Sequence, residues 1–553
     1  MQTIYIESDK IWLAPEFKVN VSCLGRAILK NLSESDPKRT FEINHDTGTR
    51  LTVEDVRYQT ITVAQNLLGL GVEKGDTIVL YSKSNERITP ITFACYTIGA
   101  PVNFFETNLD HDAIIYNLGI LDPTVIIYEV EYMPQLFTAL KFLKLANLKH
   151  ILSIDSFETA SVDEVLFQPT STVNIKSFQP PDLGDPQNVP AAYMFTAGST
   201  GMPRIIQLSH AMLIQGLYNS WQVDSESIIF CFSDCRWICQ VLLMMQPAFF
   251  GAQWIYSSRP DYDQRSKDGK DIIAKYKVTH YIDVPKGFLS VLQATEFSSD
   301  PSCLSSLRSA LIGGETVLKS LLDYSAKIVP SCKVINGYRM TEMAGVVVSN
   351  ELVNIKPDGD GLQGGALKNG LMAKIVDDDE KSLGPNQMGR LCLKSIFPFL
   401  GYLKDEKANK EIFLKGGWFD TGDFSYMDSS NLLNIVTRYE NLVRSSGIIV
   451  IPNDVENVIN SHPNVLTSAL VGHPNLKNSK EELGTVFVVL KRNFFPNSIE
   501  EELRELIKEK LTKEQLQIVK YFKVIPEMPL TNCGKTDRWA LKVLANEESR
   551  MLC

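Results

Sequence analysis

The chain has 553 residues, 44% of them hydrophobic and 22% charged, with a formal net charge of -10. Such a length calls for more than one hydrophobic core, and the acidic balance excludes a protein whose main partner is nucleic acid or an anionic membrane surface. Small molecules are the ligands to look for, and ten cysteines spread over this length form no dense disulfide framework, which fits a reducing compartment.

The opening "MQTIYIESDKIWLAPEFKVN" carries acids early and lacks both a basic segment ahead of an apolar run and an Arg-rich, acid-free transit pattern. Short β-branched runs at 77–82 and 124–129 predict strands, "PAAYMFT" predicts another, and "SHAMLIQGLYNSW" predicts a helix after a Gly-rich loop. Cys231, Cys235 and Cys239 stand four apart as ligands on one helix face would, but no fourth ligand is near, so they read as core filling. The apolar "WICQVLLMMQPAFFGAQWIY" is interrupted by glutamines, Pro247 and Gly251 and reads as a buried segment, not a membrane span. Strands at 279–285, 309–314 and 332–338 then alternate with helices at 268–277 and 316–328. This alternation predicts an α/β fold with largely parallel sheets.

After about residue 355 the composition shifts to "KPDGDGLQGGALKNG" and short strands ("LMAKIV", "GRLCLKS"), which predicts a smaller β subdomain. From about 440 the α/β pattern returns, with "NDVENVINSHPNV" as a helix, "GTVFVVLK" as a strand and "IEEELRELIKEKLTKEQL" as one amphipathic helix with a solvated charged face. The terminal "RMLC" is not a peroxisomal S-K-L address, so the cytoplasm is the expected location.

The loop "FTAGSTGMPRIIQLSH" lies just after a strand, and its Gly198 and Gly201 let backbone N–H groups converge on an anion while Thr196, Ser199 and Thr200 add hydroxyl donors. It does not match the Walker pattern, and alone it equally describes a surface turn of small residues. Other stretches give it weight. "INGYRMTEMAG" offers Thr341 and Glu342, a hydroxyl and a hard carboxylate of the kind that holds Mg²⁺ beside phosphates. "GWFDTGDFSYMD" presents Asp423 as an acceptor for ribose hydroxyls, and "TRYENLVRSSG" and "PLTNCGKTDRW" add Arg438 and Lys535.

In this order the set resembles the adenylate-forming superfamily of acyl-CoA synthetases, insect luciferases and peptide synthetase adenylation domains, most closely its fatty acyl-CoA synthetase and luciferase-like branch. The loop keeps Thr196, Gly198, Ser199, Thr200, Gly201 and Pro203, with Arg204 for the family's lysine and Ile205 for its glycine. The Y-G-x-T-E motif is Tyr338 to Glu342 with Arg339 for glycine, T-G-D is Thr421 to Asp423, and P-x-T-x-x-G-K-x-x-R is matched in full by "PLTNCGKTDR". In "RYENLVRSSG" Arg438 and Gly447 are kept, with Glu440 at the hinge position and Arg444 for lysine.

The resemblance implies a large N-terminal domain of parallel-sheet α/β subdomains plus a small β subdomain over 1–437, and a small mobile α+β domain over 438–553 hinged near 438–441. It implies ATP, Mg²⁺ and coenzyme A as cosubstrates and cofactor, a small carboxylic acid as partner, and no transmembrane segment. Thr196, Gly198, Ser199, Thr200, Gly201 and Arg204 would hold pyrophosphate; Gly314, Glu315, Asn336, Gly337 and Tyr338 would flank adenine. Thr341 would contact the α-phosphate, Glu342 the metal, Asp423 and Arg438 the ribose, and Lys535 would bridge carboxylate and α-phosphate. Arg444, Ser446 and Gly447 would meet CoA; Trp237, with the apolar run after it, and Gly313 either line the acyl pocket or serve as ordinary core packing. The expected activity is AMP-forming ligation of a medium- or long-chain fatty acid to CoA. Alternatives are a luciferase-like or aromatic-acid adenylating enzyme, and a non-catalytic nucleotide-binding relative. Ser233 and Asp234 replace the histidine pair of the luciferase pattern, which disfavours light emission. Ile205 would be costly if its position required positive φ, and Arg339 would either crowd the adenine or point away from it.

Overall fold

The computed structural model describes residues 2–155, 160–170, 174–196, 203–232, 235–258, 262–298, 300, 302–314, 317, 319–351, 364–475, 478–491, 499–530 and 536–551. Two sheets build the N-terminal part. The first runs in the order Ile205–Ser209, Pro190–Phe195, Val102–Phe104, Ile78–Tyr81, Val125–Tyr128, His150–Ser153, parallel except at its first pair. Ile78–Tyr81 and Val125–Tyr128 are continuous apolar runs buried at every position, as strands covered by helices on both faces must be. The helices Ile88–Ile98 and His111–Leu121 supply the crossovers.

The larger sheet begins as a parallel array: Thr40–Asn44, Gln253–Tyr256, Ile228–Cys231, His280–Asp283, Ser309–Gly313 and Lys333–Met340 lie side by side. At Lys333–Met340 the pairing changes sign. Its other neighbour, Gly345–Glu351, is antiparallel, and the sheet continues through Gly364–Leu367, Leu433–Arg438, Trp418–Met427, Gly389–Ser395 and Leu371–Val376 with antiparallel pairings. The expected small β subdomain is therefore hydrogen-bonded into the large sheet. The apolar segment after Trp237 is the buried helix Ile238–Phe250, with Pro247 inside it; Arg39 donates to the carbonyls of Pro247 and Ala252 at its C-terminal end, groups that have no partner within the helix. Cys231 and Cys235 pack in the core beside it. Among the described residues no helix is long and apolar enough to cross a membrane.

The C-terminal part has its own core, in which Val455, Ile459, Leu470, Val486, Leu503 and Ile507 are buried together. Its sheet is Val465–Asn475, Asn478–Leu490 and Val519–Val524. The charged segment expected as one helix is two, Ile499–Lys508 and Lys513–Ile518. Thr512 explains the break: its hydroxyl accepts from Gln515 N at 3.2 Å while the Gln515 side chain accepts from Thr512 N at 3.0 Å, a capping box that starts a new helix. The terminal helix Arg538–Met551 is fastened at its first residue, where Arg538 donates to both oxygens of Glu456 and to the Leu470 carbonyl, each at 2.8 Å.

The strands that flank the glycine-rich stretch form a β-hairpin: Ile205–Ser209 pairs antiparallel with Pro190–Phe195. Thr196 N donates to Arg204 O at 2.9 Å, and Arg204 N donates to Thr196 Oγ1 at 3.0 Å, extending the pairing of the two strands. Ile205 is opposite Phe195, is 1% exposed, and is absent from the residues with positive φ. It needs no glycine; it is a core residue of a strand. Replacing it by the family's glycine, Ile205→Gly, is predicted to destabilise the N-terminal part by about 3–4 kcal/mol, from a lost buried side chain and a looser strand. Urea denaturation followed by tryptophan fluorescence measures it.

Candidate functional site

The site forms where the parallel half of the large sheet meets the antiparallel half, outside the carboxyl end of Lys333–Met340, as ligand sites of open α/β sheets do. After Met340 the chain makes a tight turn, Thr341–Met343, with Ala344 at φ 54° and Gly345 at φ 127°, and returns antiparallel. The turn leaves Thr341 and Glu342 half-buried beside strand ends instead of inside a strand.

Two polar networks meet there. In the first, Tyr338 donates its hydroxyl to Asp423 Oδ2. Asp423 is opposite Arg438 in the register of its strand pair, and Arg438 Nε lies 3.4 Å from Asp423 Oδ1 while Nη1 donates to the Thr421 carbonyl at 2.8 Å. Gly422 sits at φ 71°, and a Cβ there would come within 3.4 Å of Arg438 Nη1, so glycine suits both the turn and the close approach. Burial, then the Asp423 charge, pushes the Tyr338 hydroxyl well above its ordinary range, and Asp423 raises the already cationic Arg438 further. Tyr338 is therefore a neutral donor and Arg438 a permanent cation.

In the second network Tyr402 donates to Glu342 Oε1 at 3.1 Å. The Arg204 guanidinium lies over the Tyr402 ring, 5.3 Å from its centroid, and its Nε is 3.3 Å from Asp405 Oδ2. Leu403 N donates to Ile205 O at 2.8 Å, so the hairpin and the 401–403 segment are one piece of backbone. Arg204, Tyr402 and Glu342 thus link the glycine-rich loop to the Thr341 turn. Desolvation raises the Glu342 carboxyl above the usual carboxylate range, against the opposing effect of the Tyr402 hydrogen bond. A half-buried carboxylate whose ionisation is penalised gains from a divalent cation. Among the described residues no group of three or more His, Cys, Asp or Glu could hold a metal ion.

Asn336 and Gly337, both buried, pair with Ile312 and Gly313 of the neighbouring strand, and Gly314 follows at φ 92°. Gly198, Ser199, Thr200, Gly201, Glu315 and Lys535 lie outside the described residues, as do Ser233 and Asp234. Arg444, Ser446 and Gly447 belong to a separate hairpin of the C-terminal part, Val443–Ser445 with Ile448–Val450. Its two-residue turn has φ 50° at Ser446 and 81° at Gly447, the twist that tight hairpins prefer. Ser446 Oγ donates to Glu481 at 2.8 Å, Arg444 N donates to Glu482 at 2.8 Å, and the Arg444 guanidinium stacks 3.8 Å from the Tyr439 ring centroid. These contacts hold the hairpin on its own domain and not on the Thr341 turn.

A cavity of about 20 Å³ lies between the helix Ile238–Phe250 and the large sheet, walled by Trp221, Leu242, Leu243, Ile282, Leu311 and Arg339. Trp237 is not in that wall: it precedes the helix, half-buried, with Arg236 5.4 Å from its ring centroid. Gly313 lies beside the cavity; a Cβ on it would meet Gly337 O at 2.4 Å and Arg339 Nη2 at 3.2 Å. Sequence reasoning missed Tyr402 and Trp221. Tyr402 had a local signal, Gly401 ahead of the Asp405 helix cap, but nothing that named Glu342 as its partner. His210 and His280 are buried and pushed down to about 3 and about 4 by desolvation, so both are neutral and structural, His210 accepting from Leu24 N at 3.1 Å.

The description "AMP-binding enzyme" fits residues 30–403, and "AMP-binding enzyme C-terminal domain" fits 454–535, both by family profile. The chain is 27% identical over 529 residues to 4-coumarate–CoA ligase CCL1 of Humulus lupulus, covering 90% of each. It is 25% identical over 521 residues to luciferin 4-monooxygenase of Nipponoluciola cruciata, again covering 90% of each. The crystal structure of the anthranilate CoA ligase AuaEII in complex with anthranoyl-AMP superposes with a TM-score of 0.80 at 21% identity, over 95% of this chain and 98% of that one.

Because Glu342 is harder to ionise in the folded state, its contribution to stability is full below the ordinary carboxylate range and is lost as pH rises through its raised folded value. Glu342→Gln is therefore predicted to raise the unfolding temperature at pH 7 without Mg²⁺, with the difference from wild type closing toward pH 4. Calorimetry across pH, with and without MgATP, reads both this gain and the loss of metal-dependent stabilisation.

Proposed function

The chain belongs to the AMP-binding enzyme family, and on that premise we propose that this ATP-dependent acid:CoA ligase acts on an acid with a hydrocarbon body, a medium- or long-chain fatty acid. The observation that carries the reading is the pair of networks at one strand end: Asp423 held between Tyr338 and Arg438, and Glu342 held by Tyr402. Leu242, Leu243, Ile282 and Leu311 are apolar, but the void they wall, about 20 Å³, has room for a water-sized group only, so the fatty-acid reading rests on the motifs and not on the cavity. The aromatic alternative draws on the relative named for 4-coumarate, which shares about a quarter of its residues with this chain.

A carboxylate is a poor acyl donor because its leaving group would be oxide. In the proposed first step a carboxylate oxygen attacks the α-phosphorus of ATP, the bond to the bridging oxygen breaks, and pyrophosphate leaves with the electron pair. In the second, the CoA sulfur attacks the acyl carbon and AMP leaves. Charge builds on phosphate oxygens, so cations and fixed donors matter more than a general base. Thr196, Gly198, Ser199, Thr200, Gly201 and Arg204 hold the departing pyrophosphate; Thr341 donates to the α-phosphate; Asp423 and Arg438 orient the ribose. Gly314, Glu315, Asn336, Gly337 and Tyr338 flank the base. Glu342 would hold Mg²⁺, and the ion when bound would neutralise phosphate charge. Lys535 bridges the acid and the α-phosphate.

The hinge is proposed at 438–441, after the last strand of the large sheet. Tyr439 there lies between Arg390 of the N-terminal part and Arg444 of the C-terminal part, with ring-centroid distances of 5.7 and 3.8 Å. Rotation about it would withdraw Lys535 and bring Arg444, Ser446 and Gly447 to CoA. Lys535→Ala is predicted to slow acid-dependent AMP formation by about 100-fold or more, while CoA ester formation from a supplied acyl adenylate continues. Chromatographic assay of both half-reactions tests it; equal loss in the two, or none in the first, contradicts these roles.

A further inference from the structure

Tyr439 is gripped from both sides of the hinge. On the N-terminal side its hydroxyl donates to Asp378 Oδ1, and its ring lies 5.7 Å from the Arg390 guanidinium and 6.3 Å from the centroid of Phe424. Arg390 is itself fixed by an ion pair with Asp420 of the adjacent strand, so these contacts seat the ring on the antiparallel half of the large sheet. On the C-terminal side the Arg444 guanidinium stacks on the same ring at 3.8 Å, and its Nη2 donates to the Tyr439 carbonyl at 3.3 Å. Lys542 of the terminal helix adds a further tie, donating to the Glu440 carbonyl at 2.9 Å.

Arg444 is thus held by a π face and a carbonyl, neither of them an anion. A phosphate meets a guanidinium with charge-assisted hydrogen bonds, roughly twice as strong as neutral ones, and CoA carries phosphates. While the ring stays on Asp378 and Arg390, Arg444 must leave it for the hairpin 443–450 to reach the Thr341 turn. The stack therefore opposes the movement that CoA favours, and it lowers the apparent affinity for CoA by the fraction of molecules it keeps latched. We propose that Tyr439 is a positioning residue, a latch that retains Arg444 until a phosphate of CoA takes the guanidinium over, so that CoA binding itself releases the hinge. This rests on the ligase reading and adds the trigger of its domain rotation.

Calorimetric titration of CoA into the full chain at saturating AMP tests it. Tyr439→Leu, which removes ring and hydroxyl together, is expected to tighten CoA binding by about tenfold, the scale of one cation–π contact and one hydrogen bond to a carboxylate. Tyr439→Phe keeps the ring, and Asp378→Ala changes only an exposed side chain; each is expected to tighten binding by about threefold. In an Arg444→Met background, Tyr439→Leu is expected to change the affinity less than twofold, a dependence on Arg444 that a merely structural role of the ring does not produce. CoA binding by wild type that is equal or weaker in both Tyr439→Leu and Asp378→Ala, or a gain that survives in Arg444→Met, overturns this proposal alone. No CoA binding by wild type or any variant overturns the ligase reading and this proposal with it.

Discussion

Asp423 is a carboxylate only 6% exposed, placed where two halves of a sheet are joined. A charge in that position is expensive unless it is paired and hydrogen-bonded, and the partners come from distant parts of the chain: Arg438 from the adjacent antiparallel strand, Tyr338 from the last parallel strand. Satisfying Asp423 thus fixes how the parallel array sits against the antiparallel one. It also fixes the turn that follows Tyr338, and with it the direction of Thr341 and Glu342. Two carboxylates, Asp423 and Glu342, end up on one edge as a consequence of solving one desolvation problem.

The hairpin is tied in by different physics. Its outer strand is registered by main-chain bonds to residues 401–403, and that backbone carries Tyr402 into contact with Glu342 on one side and Arg204 on the other. Arg204 places its guanidinium over the Tyr402 ring while keeping an ion pair with Asp405. On the C-terminal side, Arg538 of the same motif as Lys535 clamps Glu456 and the Leu470 carbonyl.

Much of this was legible from the sequence because motif residues do local jobs. The strands at 78–81, 125–128 and 333–340, and the buried character of the helix after Trp237, follow from apolar runs and periodicity. What was hidden depends on partners far away in the chain. Ile205 looked like a misplaced residue in a loop until the strand that pairs it with Phe195 was seen, since a five-residue strand ending in a helix cap carries little pattern of its own. The two-helix split at Thr512 was written in a Thr-x-x-Gln box that an uninterrupted charge pattern masked. Trp221, which walls the cavity in place of Trp237, and the direction of Arg339 are set by packing between a helix and a sheet, for which no short motif exists.

On the proposed reading, this strand-end site forms an acyl adenylate. The most direct measurement is isotope exchange between pyrophosphate and ATP by the purified protein, with Mg²⁺ present, CoA absent and carboxylic acids supplied one at a time. Exchange that requires an acid and disappears without it is the expected result. ATP binding with no exchange for any carboxylic acid would contradict it and make the chain a nucleotide-binding protein without the chemistry.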